Sequence, residues 1–337
     1  MTKLKTAVIG CGSIFPQHAD ALMDCPDADL YAVCDIDESR AKAAAGKYGC
    51  RSFTDYTEVL KDNKIDAIHL CTPHYLHAPF AIGAMNAGKH VLTEKPMAIT
   101  VGDAEKMIET SGKTGKSLGV CFQNRYNRTS GRIKEIVDTG RAGRVLGAKA
   151  LVLWHRGEEY YSAAEWRGTW EMEGGGVLIN QAIHTLDLLQ WFMGDIDRLK
   201  ASVDTRLLKG IIEVEDTAEA TILFGNGAAA LFYATNCYVS NSPIEIELIC
   251  EKAKIQYNGE LNVFYDDGTK EHVTDVDRTT GGKAYWGCGH KEYISDFYEK
   301  ITKGQSVWVD GRQGINSVKI IEAMYKSDKT GEYVKVT

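Results

Sequence analysis

The stretch KTAVIGCGSIF, residues 5–15, decides the fold. Thr6, Ala7, Val8 and Ile9 form a short β-prone run that stops at Gly10, and Gly12 follows just before the chain turns helical at Gln17. Two glycines between a strand and a helix suit a dinucleotide turn. The first allows the tight turn, and the second lets backbone come close to a pyrophosphate at the helix N-terminus. The third position of that fingerprint is ordinarily small, and here it is Phe15. The first helix is therefore expected to stand slightly farther from its strand.

Asp35 extends the pattern. It ends a second β-prone run, residues 30–34, and lies 20 residues after Phe15. A carboxylate there hydrogen-bonds the ribose hydroxyls of NAD and repels the 2′-phosphate of NADP, so NAD is the expected cofactor. The segment DIDES also reads as a helix start, with an aspartate acting only as a cap.

The same alternation continues outward. Apolar runs at 67–71, 90–92 and 117–121 are separated by helix-like stretches at 37–48, 79–87 and 101–113. Short continuous apolar strands between helices indicate a parallel sheet buried on both faces. After about residue 122 the character changes. DTAEATILF, GNG and AAALFYATNCYV read as a hairpin, and 245–250, 254–257, 261–265 and 271–274 as further strands. Helices are predicted at 130–138, 177–192, 291–301 and 313–327. The expected fold class is α/β. A parallel-sheet domain over residues 1–122 is followed by an α+β domain with a large, open, mostly antiparallel sheet over 123–337, its last helix returning to the first domain.

Composition narrows the function. The chain has 337 residues, enough for two domains, and its 44% hydrophobic and 25% charged content is ordinary for a globular protein. A net charge of −7 argues against nucleic acid as a partner. No apolar run reaches the ~18 residues of a membrane span, and no signal peptide is read at the N-terminus, so a cytoplasmic protein without membrane contact is expected. Nine cysteines without a CxxC pair read as free thiols, and no metal site is expected. The 33 glycines are in excess and ask what approaches the backbone so closely.

Three further motifs carry chemistry. HLCTPHYLH places Thr72, Pro73 and His77 after the third apolar run, and TEKPMA places Glu94, Lys95 and Pro96 after the fourth. Loops at the carboxyl ends of parallel strands are where ligands bind, and a lysine there is positioned for proton transfer. In GGGVLINQAIHTLDLLQWFMG, Asn180, His184 and Asp187 fall on one face of a predicted helix entered through three glycines at 174–176. A single helical histidine is often only a packed core residue. The aromatic and basic run WHRGEEYYSAAEWRGTW suits a polyhydroxylated ligand, or simply packs as a loop.

Taken together, GCGSIF, Asp35, CTPHYLH, EKP, FQNRYN, GGG…NQAIHTLD and GHKEYISDFYEKI…VDG resemble the Gfo/Idh/MocA family of glucose–fructose oxidoreductase, inositol dehydrogenase and relatives. The resemblance covers nearly the whole chain. It implies an N-terminal Rossmann domain and a C-terminal α/β domain whose sheet mediates a homodimer or homotetramer. It also implies Lys95 and His184 as catalytic groups, His184 being the general acid/base. Gly10, Gly12, Ser13, Ile14, Asp35, Thr72, Pro73, His77, Glu94, Lys95 and Gln123 would contact the cofactor. Arg125, Tyr126, Trp166, Arg167, Asn180, His184, Tyr285 and His290 would contact substrate.

One departure is chemical. Inositol-dehydrogenase-like members carry Asp where this chain has Asn180. An amide can orient an imidazole but cannot stabilise its charged form as a carboxylate does. The NQxxH variant is similar to members acting on sugar derivatives and nucleotide sugars. The implied reaction is NAD-dependent oxidation of a secondary hydroxyl of a sugar, sugar derivative or cyclitol, or reduction of the ketone. Hydride would pass to nicotinamide C4 and the proton to His184 with Lys95. The competing readings are an NAD-retaining glycosidase and a non-catalytic NAD-binding regulator.

Overall fold

A computed structural model describes residues 3–275 and 289–337 and divides them between two compact units. The first comprises residues up to Gln123 together with Gly289–Ile315, and the second Asn124–Cys288 with Asn316–Thr337. Residues 289–315, read from the sequence as second-domain chain, therefore cluster with the first.

In the first unit, β1 (Leu4–Ile9), β2 (Ala28–Cys34), β3 (Arg51–Phe53), β4 (Ala67–Leu70), β5 (His90–Glu94) and β6 (Leu118–Cys121) form one sheet in the order β3-β2-β1-β4-β5-β6. Every pairing is parallel. The order reverses between β1 and β4, the switch point outside which doubly wound sheets bind ligands. β4 and β6 are buried along their whole length, as their unbroken apolar runs required. The helices are α1 (Phe15–Asp24), α2 (Glu38–Tyr48), α3 (Tyr56–Lys61), α4 (His74–Asn86) and α5 (Val101–Thr114).

Local chemistry sets several ends. Asp37 caps α2 by accepting from the Ser39 and Arg40 amides, and Gly49 ends the helix in the left-handed region at φ 69°. Helix α4 begins at His74, earlier than the sequence suggested, so Pro79 lies inside it and removes one rung of its ladder. Phe15 is buried and meets the Tyr48 ring edge-on at 5.6 Å, so the bulky third fingerprint residue is absorbed by packing against α2.

The second unit is built on nine strands. They are β7 (Val145–Leu153), β8 (Ile196–Asp204), β9 (Thr217–Phe224), β10 (Ala229–Thr235), β11 (Glu245–Cys250), β12 (Ala253–Tyr257), β13 (Leu261–Tyr265), β14 (Lys270–Val273) and β15 (Val334–Lys335). Their order is β14-β13-β12-β11-β7-β10-β9-β8-β15, antiparallel except for β7 with β10. The predicted hairpin is β9–β10, and its Asn226 side chain accepts from the Ala228 amide and donates to the Met193 carbonyl. The helices of this half of the chain are α6 (Arg128–Asp138), α7 (Glu158–Ser162), α8 (Val177–Asn180), α9 (Ile183–Met193), α10 (His290–Thr302) and α11 (Gly311–Thr330). Helix α10 belongs to the first unit, where it packs on α1.

The helix predicted over 177–192 is two helices. The Ala182 amide reaches back to the Val177 carbonyl at 2.8 Å, a five-residue step that breaks the regular ladder between α8 and α9. Asn180 closes α8 and His184 stands in the first turn of α9, so one continuous helical face does not carry them.

Candidate active site

At the carboxyl edge of the six-stranded sheet, the turn after β1 is held from both sides. Gly10 has φ 94°, and a Cβ there would sit 2.5 Å from the Cys71 carbonyl oxygen at the end of β4, so only glycine fits. Asp35 is 8% exposed, and its two oxygens accept from the Cys11 amide at 2.8 Å and the Asp37 amide at 2.9 Å. A carboxylate has about four acceptor positions, so capacity for further donors remains. A Cβ on Gly12 would meet nothing within 4 Å, and no side chain caps α1, whose N-cap is Ile14. Ser13 is exposed. The Thr72 hydroxyl oxygen is buried with no partner among the described residues. The Phe15 and Gln17 amides are met by the Gly12 and Ile14 carbonyls, so it is the open backbone space at Gly12 and the unsatisfied hydroxyl on one sheet edge that suit the phosphates and sugar of a dinucleotide.

Lys95 follows β5 and is half-buried. Its anchor is Glu94, whose carboxylate accepts from His18 Nε2 at 2.9 Å and lies 3.3 Å from the Lys95 amide nitrogen. Burial alone would raise the Glu94 carboxyl, but His18 and His290 overcome it and hold the group well below the usual carboxylate range. The chain of contacts runs on from His18 Nδ1 to His69 Nδ1 at 2.9 Å, from His69 Nε2 to the Tyr298 hydroxyl at 2.9 Å, and from there to Thr6 at 2.6 Å. A neutral His69 has one N–H, so along this chain it donates from one ring nitrogen and accepts at the other. Burial keeps His69 well below its ordinary value and therefore neutral.

The His18, Glu94, Cys121 and His290 donor atoms lie within 4.8 Å of one another, all buried. Such donor types can ligate a metal, although the sequence predicts none. Here they serve as the clamp on Glu94. No short motif joins residues 18, 69, 94 and 298, so the sequence concealed it.

Three residues of this unit assigned to ligands from the sequence are buried. Glu94 is 7% exposed, with its carboxylate engaged by His18 and by the Lys95 amide. His77 is 0% exposed, with Nδ1 2.6 Å from the Pro96 carbonyl and Nε2 2.9 Å from the Thr72 carbonyl, so it ties the two loops together. Two carbonyl acceptors favour a charged ring, but burial wins and lowers its pKa, leaving one N–H to serve one of them. His290, assigned to substrate, is 3% exposed with Nε2 3.6 Å from Glu94. Pro73 is half-buried beside Thr72, and Gln123 is buried beyond β6 with Cys121 Sγ 3.9 Å from its side-chain oxygen. Tyr285 lies outside the described residues.

In the second unit, the glycines at 174–176 admit parts of the protein itself. A Cβ on Gly175 would overlap the Tyr325 hydroxyl, and one on Gly176 would overlap the Glu215 backbone oxygen. The Glu215 carboxylate caps α8, accepting from the Gly176 and Leu178 amides and from the Tyr325 hydroxyl, each at 3.0 Å. Burial outweighs those bonds and pushes its pKa up to about 7.

Asn180 and His184 are half-buried. The Asn180 Nδ2 donates to Glu173 Oε1 at 2.5 Å and to the Tyr160 hydroxyl at 3.3 Å. Arg167 lies over the Tyr160 ring at 4.2 Å and the Trp166 ring at 5.5 Å, and donates to the Tyr160 carbonyl. These aromatic and guanidinium groups, with half-buried Trp166, offer stacking faces and donors to a polyol. Tyr126 is half-buried in a 3₁₀ turn, Gln123–Tyr126.

Arg125 is not available in that way. It is 1% exposed and makes a bidentate pair with Asp187, Nε to Oδ2 at 2.8 Å and Nη2 to Oδ1 at 2.6 Å. Burial pushes the Asp187 carboxyl up while Arg125 counters it, and the short fork geometry is that of an ionised pair. Asp187, placed with Asn180 and His184 by helical spacing, thus faces the core. Glu173 and Glu215 accept from α8 and its entry, through Asn180 and through the Gly176 and Leu178 amides, and the sequence reading named neither.

Residues 4–122 match the family model described as an oxidoreductase family NAD-binding Rossmann fold, and residues 134–336 match its C-terminal alpha/beta domain. The D-glucoside 3-dehydrogenase of Escherichia coli is 27% identical over 99% of this chain and 97% of its own. The myo-inositol 2-dehydrogenase of Thermotoga maritima is 25% identical over 99% and 98%. The WlbA dehydrogenase of Bordetella pertussis, solved with NADH and UDP-GlcNAcA, is 30% identical with a TM-score of 0.88, covering 100% of this chain and 99% of that one.

Proposed function

This chain belongs to the Gfo/Idh/MocA family of oxidoreductases, and on that premise we propose that it oxidises a secondary hydroxyl of a sugar or sugar derivative with NAD. The observation that carries the reading is the carboxyl edge of the Rossmann sheet. There an open Gly12, an α1 without a side-chain cap and the unsatisfied Thr72 hydroxyl share one edge with Lys95.

Gly10, Gly12 and the Ser13 and Ile14 backbone ahead of α1 would hold the pyrophosphate, and Asp35 the adenosine ribose. When bound, the nicotinamide accepts or returns the hydride. The protein's own work is alignment and proton transfer. His184 takes the hydroxyl proton, Lys95 holds the oxygen as negative charge develops on it, and Asn180 orients a neighbouring hydroxyl. Trp166 and Arg167 read the remaining ring. The test is to follow NADH formation with inositols, free sugars, glycosides, sugar acids and nucleotide sugars. Turnover of at least one sugar class supports the proposal, and none across the whole panel refutes it.

Asp35 underlies the choice of NAD over NADP. Its fixed carboxylate would lie against a 2′-phosphate, and like charges at contact in a partly buried site cost about 1–4 kcal/mol. NADH is expected to bind at least about tenfold more tightly than NADPH in a fluorescence titration. Equal affinities would contradict this assignment.

We also infer self-association through the nine-stranded sheet. Its outer face exposes Leu231 at 65% and Ile249 at 51%, on β10 and β11. Exposed apolar side chains on one face of a sheet favour burial against a partner. Leu231→Glu should shift the sedimentation coefficient to that of a smaller species. An unchanged oligomer would count against this face.

Among the described residues, no helix is long and apolar enough to cross a membrane.

A further inference from the structure

We propose that Glu173 supplies the negative charge that position 180 lacks, as a positioning residue that fixes the Asn180 amide with its oxygen presented to a substrate hydroxyl. The proposal rests on the reading above, in which Asn180 and His184 face the substrate.

Glu173 stands immediately before the three glycines and is 0% exposed. One oxygen accepts from the Gly168 amide at 2.5 Å and the other from Asn180 Nδ2 at 2.5 Å. An ionised carboxylate can only accept, so it compels the amide to turn its nitrogen inward. The second Nδ2 hydrogen points to the Tyr160 hydroxyl at 3.3 Å, which uses the remaining donor of that amide. The Asn180 oxygen is thereby turned the other way, as an acceptor. A protonated Glu173 could itself donate to that oxygen, and the amide would be free to flip.

A fully buried carboxyl is costly, and a merely structural acceptor could be a neutral amide. The surroundings of Glu173 instead leave its charge finely balanced. Burial and the Glu215 carboxylate oppose ionisation, whereas the Gly168 and Asn180 donors and the Arg167 guanidinium favour it. The phenols of Tyr160, Tyr161 and Tyr325 also sense the carboxyls here. The outcome is a group pushed up to about 7. The ordered amide belongs to the ionised form, so the oriented state is gained as pH rises through that value and lost as it falls.

Two measurements test this. The first needs no substrate. The Asn180 side-chain amide resonance, assigned by its loss in Asn180→Ser, is followed from about pH 5 to about pH 9. One transition with a midpoint near 7 is expected in the wild type and none in Glu173→Gln. A flat wild-type titration, or the same transition in Glu173→Gln, overturns the proposal.

The second measurement moves the charge. Glu173→Gln is expected to lower kcat/KM about 10–100-fold and to remove the step near neutral pH, with the thermal midpoint kept as a check on folding. Asn180→Asp alone sets two carboxylates in contact and should also slow the enzyme, because they must share a proton. The double variant Glu173→Gln/Asn180→Asp restores one charge and one donor in swapped order and should recover most of the activity. Losses that simply add in the double variant overturn the proposal while leaving the dehydrogenase reading intact. If the wild type oxidises no sugar, that reading fails on its own, and the amide titration still decides the role of Glu173.

Discussion

Changing His184 to alanine or Lys95 to methionine is expected to lower turnover about 10²–10⁴-fold while NADH binding persists. The two groups stand on different elements, Lys95 at the end of β5 and His184 in the first turn of α9. Neither lies on the glycine turn or beside Asp35, so cofactor affinity should be spared. Lys95 is also the end of a supported structure, because Glu94 beneath it is clamped by His18. Methionine keeps the length and apolar stem of lysine but not its charge, so the backbone should hold. Turnover within a few-fold of wild type in both variants would rule out the proposed proton path. Loss of NADH binding together with turnover would indicate that Lys95 serves the cofactor and not the proton.

The largest expected effect on stability lies in the ion pair beneath α9. Asp187→Ala would leave the Arg125 guanidinium, 1% exposed, without its carboxylate. Removing one partner of a buried pair typically costs about 3–5 kcal/mol, because the remaining charge keeps its desolvation penalty. The thermal midpoint should fall by several degrees. Replacing both, as Arg125→Met/Asp187→Leu, should recover much of that loss, since apolar groups of similar volume carry no such penalty. If Asp187→Ala unfolds at the wild-type temperature, Arg125 is not confined as the structure places it.

The Rossmann half was legible because a parallel sheet covered on both faces writes itself as unbroken apolar runs, as at 67–70 and 118–121. β3 escaped because Arg51, Ser52 and Phe53 are too few and too exposed to leave such a run. The break between α8 and α9 escaped for a different reason. A one-residue slip in the amide ladder leaves the apolar spacing almost unchanged, so residues 177–192 still read as one helix.

Site residues divide along similar lines. Gly10, Gly12 and Asp35 lie within one βαβ unit, and short-range spacing suffices to place them. Motif membership gave no measure of burial, however. His77, Glu94, His290 and Arg125 were therefore read as ligand contacts, although each is at most 7% exposed. The three glycines at 174–176 did announce a close approach, but what approaches is Tyr325 and the Glu215 backbone. Glu173 and Glu215 were missed because nothing local marks them. Their roles come from partners such as Asn180 and Tyr325 that the fold brings to them.

The central claim is direct hydride transfer from a sugar carbinol carbon to the cofactor. It is tested by turning over a sugar from the panel that carries deuterium at the carbon found oxidised in the product. The predicted result is one deuterium at nicotinamide C4 for each NADH formed, with the ketone accumulating in equal amount and no glycosidic bond broken. Release of free sugar without net NADH, or NADH that carries no deuterium, would contradict it.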